Sequence, residues 1–351
     1  MPIEREYPNK AVWSCDQLDS LDPPIAEAPY FDNDLNAWIF TRYADILAAF
    51  RASELCPISF SNSKPGKSLN EEARLKMRDE VQQELSPSHL RDWKESLAKQ
   101  SEEIAKRLSQ NSAVDLLAGY AHPLCLSLAA TVTGISQDEA ISLSDQAGTV
   151  SAAAAEPYDL TLRAAAKSAN VGLRKCFHTG PTTMRDSAFV ALSQTMPRLL
   201  GNAWFALIQH PQQWNLLHQQ PELTEQAIEE LFRYAGLVRT LARTATTNIV
   251  INGIEIRKGE RIILRIIAAN RDPDRFAHPN QLDITRRGAS HLTLGAGLHS
   301  CVGASLIRMA AVTITWPLVA RFAYARLAQN VEWQGGSGFR SPKSLWVSRS
   351  S

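Results

Sequence analysis

Leu294-Gly295-Ala296-Gly297-Leu298-His299-Ser300-Cys301-Val302-Gly303 sets one cysteine between a glycine-rich coil and an apolar helical pattern that runs to about Tyr324. Glycines let the backbone approach closely and take positive φ angles, so amide N–H groups can point at the sulfur. A helix N-terminus adds further donors and positive potential, and both favour thiolate over thiol. A metal-ligating thiolate needs such surroundings, and so does a nucleophilic one. The nucleophile would also require a histidine base and a substrate cleft. Neither is evident, since His299 lies two residues away in a tight coil.

The other four cysteines, Cys15, Cys56, Cys125 and Cys176, are scattered and never in C-x-x-C spacing. That argues against a disulfide framework and against a zinc site. The chain has 351 residues and a net charge of +1, which gives no reason to expect nucleic acid or an anionic membrane as partner. No apolar run approaches the roughly 18 residues of a membrane span. MPIEREYPNK lacks the apolar core of a signal peptide. The expected compartment is the cytoplasm.

Working outward from the loop, the chain reads as one domain over residues 1–351, mainly α with small β-sheets. Residues 38–41 form a short strand. Helical patterning starts near Glu71, recurs through 90–108, and continues in the apolar stretch 115–134. Residues 186–210 read as one long apolar helix carrying Phe189, Leu192, Met196, Leu199, Leu200, Ala203 and Leu207. His210-Pro211 closes it, because the residue before a proline leaves the α region. A helix follows over 224–234, then strands over 249–256 and 261–267 around the turn 257–260. Residues 331–347 have β character. Residues 160–176 supply one amphipathic helix with Leu160, Leu162, Ala165, Val171 and Leu173 on its apolar side.

The cysteine loop resembles that of the cytochrome P450 family, Phe-x-x-Gly-x-His/Arg-x-Cys-x-Gly. Gly297, His299, Cys301 and Gly303 match in register, and Leu294 stands where the aromatic residue is usual. Glu230-Leu-Phe-Arg233 is similar to the family's Glu-x-x-Arg, whose three-residue spacing puts both side chains on one helical face. Arg286, in Leu282-Asp-Ile-Thr-Arg286, matches the arginine those two lock in place. The segment 268–276 between them also resembles the family. The resemblance implies a P450-like fold with haem b held by an axial Cys301 thiolate. Two propionates in a desolvated pocket call for basic neighbours, and by resemblance these are Arg74, Arg78, Arg243, His291 and His299. Gly295 and Gly303 complete the loop around the haem.

Two departures from the family matter. Its oxygen-activating stretch, Ala/Gly-Gly-x-Asp/Glu-Thr, reads Ala191-Leu192-Ser193-Gln194-Thr195 here. Thr195 is kept, but Gln194 cannot titrate, and Leu192 crowds the side where a glycine admits the sixth ligand. Pro197 removes one helical N–H and suggests a kink in the same turn. The chain also has room for only one or two helices between Glu139 and Ala191. That implies a reduced F/G/H region, with a pocket left open or closed by a partner such as a second copy. The expected function is bacterial-type monooxygenation of a small organic molecule, with electrons from a ferredoxin and reductase. Lys76, Arg78, Lys94 and Arg308 are candidates for its docking face. The alternatives are peroxide-driven oxidation, a non-redox rearrangement or dehydration, and a haem protein without catalysis.

Overall fold

A computed structural model describes residues 28–57, 71–157, 159–177, 185–288 and 290–349. Among these the helices are α1 (Tyr43–Arg51), α2 (Glu71–Glu84), α3 (Pro87–Leu108), α4 (His122–Thr133), α5 (Gln137–Ala155) and α6 (Leu160–Phe177), followed by α7 (Arg185–Val190), α8 (Met196–Gln209), α9 (Pro211–Gln219), α10 (Thr224–Tyr234), α11 (Ile266–Ala269) and α12 (Ala304–Arg321). The first six strands are β1 (Tyr30–Asp32), β2 (Ala37–Phe40), β3 (Leu55–Pro57), β4 (Ala113–Asp115), β5 (Thr240–Ala245) and β6 (Ile249–Ile251). The remaining six are β7 (Ile254–Ile256), β8 (Arg261–Arg265), β9 (Ala325–Leu327), β10 (Trp333–Gly335), β11 (Arg340–Pro342) and β12 (Trp346–Arg349). The expected mainly helical class with small sheets is what forms.

Local chemistry sets the boundaries. Ser86 caps α3, its hydroxyl accepting from the His89 amide, and Pro87 occupies the first turn, where no N–H is needed. Ser136 and Glu139 make a reciprocal capping box on α5. Gly134 ends α4 at φ +71°. Residue 249–256 is a hairpin rather than one strand, because Asn252 and Gly253 take φ of +48° and +85° and reverse the chain. The strand from Arg261 stops at Arg265, and α11 takes over.

The long apolar helix is continuous from α7 to α8, but its middle is a π turn at Ala191–Thr195, in which the Met196 amide reaches back to the Ala191 carbonyl. The π turn falls in the turn where a proline kink was expected. Pro197 has no N–H for the Ser193 carbonyl, and widening the preceding turn absorbs the defect. Pro317 inside α12 leaves the Thr313 carbonyl in the same position, and the buried Ser101 hydroxyl of α3 donates to it at 3.3 Å.

α3, α4, α8, α10 and α12 enclose the main core, with Tyr120, Leu128, Trp204, Phe232 and Ile314 at its centre. Its polar atoms are paired: Trp204 Nε1 donates to Thr315 Oγ1 at 3.0 Å, and the Tyr120 hydroxyl to the Ile314 carbonyl at 2.8 Å. A second core, with Phe40, Ile46, Phe50 and Leu264, lies under the mixed sheet β1-β2-β8-β5-β3. There β2 and β8 run parallel, with Trp38 opposite Ile262. A three-stranded sheet β4-β12-β9 and the hairpin β10–β11 complete the β structure.

α5 and α6 form an antiparallel pair beside the π turn, so two full helices occupy the shortened region. α6 is amphipathic, and the expected apolar side is buried in part. Leu173 is buried with Ala166 and Phe177 and Leu162 is half-buried, whereas Ala165 is exposed and Leu160 and Val171 are 63% and 54% exposed. Packing against α5 selects the buried stripe. No described helix is long and apolar enough to cross a membrane.

Candidate functional site

Cys301 sits where the loop turns into α12. Its amide donates to the Leu294 carbonyl at 2.7 Å, closing the loop into a ring. Gly295, at φ +70°, makes the ring possible: a Cβ there would collide with the His299 carbonyl. Gly297, at φ +58°, lies over the Phe50 carbonyl, which a Cβ would approach to 3.3 Å. Gly303 has ordinary backbone, and a Cβ there would meet no atom within 4 Å. Its contributions are the amide on the Cys301 sulfur and the open space beside it.

Burial pushes the Cys301 thiol up, and the Gly303 amide, Arg78 and Arg308 pull it back only in part. Desolvation disfavours the charged form more than these donors favour it.

The sulfur borders a cavity of about 240 Å³ with almost wholly apolar walls. Cys301, Gly303 and Leu306 line one side, and Ala191, Leu192 and Val132 line others. The loop and the π turn thus face a common space. A larger cavity of about 400 Å³, against Asn202, Phe205, Arg239 and Trp333, is bordered by no cysteine.

The expected basic residues fare differently. Arg78 on α2 holds the loop itself, donating to the Ser300 carbonyl at 2.7 Å and the Ser300 hydroxyl at 2.8 Å. The side chain of Arg74 lies outside the described residues. Arg243 on β5 is buried and stands 5.9 Å from the Phe50 ring. Because Phe50 also abuts Gly297, Arg243 and the 3₁₀ turn that ends at His299 share one neighbourhood. His291 is not a margin residue. It is buried, and its Nε2 lies 3.4 Å from the Glu229 carboxylate.

The Glu230–Arg233–Arg286 set forms as expected. Arg233 donates to Glu230 through Nε at 2.7 Å and Nη2 at 2.8 Å, and Arg286 Nε reaches the same carboxylate at 3.1 Å. Arg233 also donates to the Asn270, Pro279 and Gln281 carbonyls, which ties the segment leading to the cysteine loop onto α10.

Across the cavity, Leu192 is buried and lines it. Gln194 points elsewhere: its amide donates to the Ser144 carbonyl and hydroxyl of α5, both at 3.4 Å. Gln194, which cannot titrate, is a catalytic candidate from sequence together with Thr195 and Leu192, and its side chain joins the π turn to α5. Thr195 hydrogen-bonds through its side chain to no described residue.

Sequence reading overlooked Ser300, Ser144 and Glu229. The Glu229-Glu230 doublet was a usable signal, because successive helical residues point about 100° apart and so serve different partners. Burial pushes Glu229 up, but hydrogen bonds from His291 and Arg308 outweigh this and pull its carboxyl down to about 2. A depressed carboxylate stabilises the fold above its ordinary value near 4.5 and loses that contribution as pH falls toward 2. Glu229→Gln is therefore expected to flatten the urea-stability profile between those limits, modestly, because the side chain is 41% exposed. An unchanged slope would show that the pair does not form.

The site can be tested for haem on its own features. An apolar slot bounded by one cysteine sulfur and by a helix on the other side suits a flat macrocycle with one axial thiolate. The open space at Gly303 leaves room for its approach to the sulfur, and the residues around the sulfur fit it; Arg243 and His299 do not line this cavity.

Comparison with known proteins agrees. The Cytochrome P450 family profile matches residues 208–332. Cytochrome P450 CYP107DY1 of Priestia megaterium is 43% identical over 156 residues, which cover 44% of this chain but only 38% of that protein. Nocardicin C N-oxygenase of Nocardia uniformis is 27% identical over 390 aligned positions, covering 98% of each chain. The fold superposes on P450BioI in complex with an acylated carrier protein at a TM-score of 0.80, with 22% identity over 95% of this chain and 97% of that one. Haem b on a cysteine thiolate is that family's cofactor. In the cysteine loop, the buried Glu–Arg–Arg set, the profile match over residues 208–332 and the helical fold, this chain is similar to the cytochrome P450 family.

Proposed function

We propose that this chain is a haem-thiolate monooxygenase of bacterial type, with Cys301 as the axial ligand. The observation that carries this reading is the apolar cavity shared by Cys301 and the π turn. Bound there, haem would supply oxygen activation, with the cysteinate donating electron density that favours O–O cleavage. The chain's own residues do the rest. Gly303 directs its amide at the sulfur, and Arg78 fixes the residue before it. Arg243 and His299, together with Arg74 and Arg78, are the groups suited to the propionates. Leu192 and Val132 exclude water from the cavity. Thr195, which ends the π turn, carries a hydroxyl that could pass a proton by way of water.

The substrate is a small organic molecule, a reading supported by similarity to an oxygenase of nocardicin C. Electrons come from a ferredoxin and reductase, and the setting is the cytoplasm. A carrier-bound substrate is the competing mode of delivery. The α5–α6 pair packs beside the π turn without lining the cavity at Cys301, so closure by a second copy is the further possibility, and light scattering tests it. A monomer would remove it.

The ferrous–CO spectrum tests the reading, followed by turnover with ferredoxin and reductase against turnover with peroxide. A thiolate-type Soret band with reductant-driven product supports it. The same band with peroxide-only product, or no product, overturns monooxygenation; no haem uptake overturns the ligand assignment. Gln194→Glu is expected to leave the yield of product per electron unchanged, because the side chain is engaged with Ser144. A rise would return this position to the proton path.

A further inference from the structure

Glu229, Arg308 and His291 form a cluster that the proposed chemistry has not used. Arg308 grips Glu229 with both arms of its guanidinium, Nε at 2.6 Å and Nη2 at 3.1 Å, on separate carboxylate oxygens. His291 approaches the same carboxylate at 3.4 Å. Its Nδ1 accepts from the Thr293 amide at 3.2 Å, which leaves Nε2 to carry the proton that faces Glu229. The His291 side chain is only 1% exposed. The Thr293 hydroxyl, two residues on, donates to the Phe232 carbonyl on α10 and accepts from Asn270, which anchors the backbone beside the histidine.

Three elements meet here: α10 through Glu229, the strand-like lead into the cysteine loop through His291, and α12 through Arg308. Arg308 is seven residues beyond Cys301, two helical turns along the helix that starts at the sulfur. That separation is roughly 10 Å along the axis. Glu229 therefore neutralises a positive charge carried by the helix that follows the ligand. Through protein, a charge at that range is screened less than in water.

Resting on the reading of Cys301 as haem ligand, we propose that Glu229 and Arg308, held in register by His291, are positioning residues that set the electrostatic potential at the Cys301 sulfur and hence how readily the bound haem is reduced. Thiolate donation to the metal falls when positive charge near the sulfur is uncompensated, and outer charges and hydrogen bonds of this kind are among a protein's means of adjusting a haem.

The test uses the haem-loaded full chain. Glu229→Gln uncovers the Arg308 charge. It is expected to move the reduction potential in the positive direction and to raise the carbonyl stretching frequency of the ferrous–CO complex. Arg308→Gln is expected to move both readouts the other way, and Glu229→Gln with Arg308→Gln to return them toward the parent. Arg308→Lys, which keeps the charge, should stay near the parent potential. Arg308 is 43% exposed, so its variants are expected to fold, and they decide the matter should Glu229→Gln load no haem. Potentials that do not move, or that move the same way in Glu229→Gln and Arg308→Gln, overturn the proposal while the thiolate CO band is intact. Loss of that band in the parent protein instead overturns the haem-thiolate reading on which it rests.

Discussion

In Cys301→Ser, the thiolate-type ferrous–CO band is expected to vanish and substrate oxidation to fall to background. The hydroxyl is nearly isosteric, and the loop that carries it is held by contacts independent of the sulfur. These are the Cys301 amide to Leu294, the Ser300 carbonyl and hydroxyl to Arg78, and the tight turn at Gly295. The variant should therefore fold with an unchanged far-ultraviolet spectrum and lose only the ligand. Outer partners of a metal ligand typically cost about 10–100-fold in affinity or activity, so removing the ligand itself costs more. Arg78→Ala is the graded comparison: it loosens the loop yet keeps the sulfur, and should retain the band at lower haem occupancy. A thiolate-type band surviving in Cys301→Ser would place the ligand elsewhere.

Glu230→Ala is expected to destabilise the whole chain by roughly 3–5 kcal/mol, the usual cost of removing one partner from a buried ion pair. Four donors converge on this carboxylate: two from Arg233, one from Arg286 and the Asp283 amide at 3.1 Å. Without it the Arg233 guanidinium, 1% exposed, is left as an uncompensated charge in the core. A domain's stability is only about 5–15 kcal/mol, so the variant should be largely insoluble or haem-free. Glu225→Gln, exposed on the same helix, is the control and should shift stability by no more than about 0.5 kcal/mol. If both variants melt alike, the Glu230–Arg233–Arg286 set is not what fixes the segment before the cysteine loop.

Much of this architecture was legible residue by residue. Gly295 had to be a glycine for a turn that crosses its own backbone, and it is. His210-Pro211 closed a helix, and residues 224–234 formed one, because proline geometry and helical periodicity act locally. The three-residue spacing of Glu230 and Arg233 placed them on one face before any tertiary contact was known.

What failed was decided by neighbours distant in sequence. Of the apolar side read for α6, Leu173 is buried and Leu162 half-buried, but Leu160, Ala165 and Val171 are exposed, because an amphipathic pattern rich in alanine leaves the rotation of the helix to its partner α5. The proline in α8 was seen, while the π turn that accommodates it depends on how the helix is held at both ends. Gln194 and His291 were assigned to the haem's surroundings by order in a motif. Their side chains instead meet Ser144 and Glu229, fifty and sixty-two residues away.

Cys301 itself shows the division. Sequence alone determined that one cysteine stands between a glycine coil and a helix, and that a Glu–Arg–Arg set accompanies it, because spacing and turn chemistry are written in neighbouring residues. Only the tertiary structure decided which charges surround the sulfur, which side chains face the cavity across from it, and that burial holds the thiol up despite its helix terminus. Those are sums over groups brought together by packing, and desolvation has no counterpart along a chain.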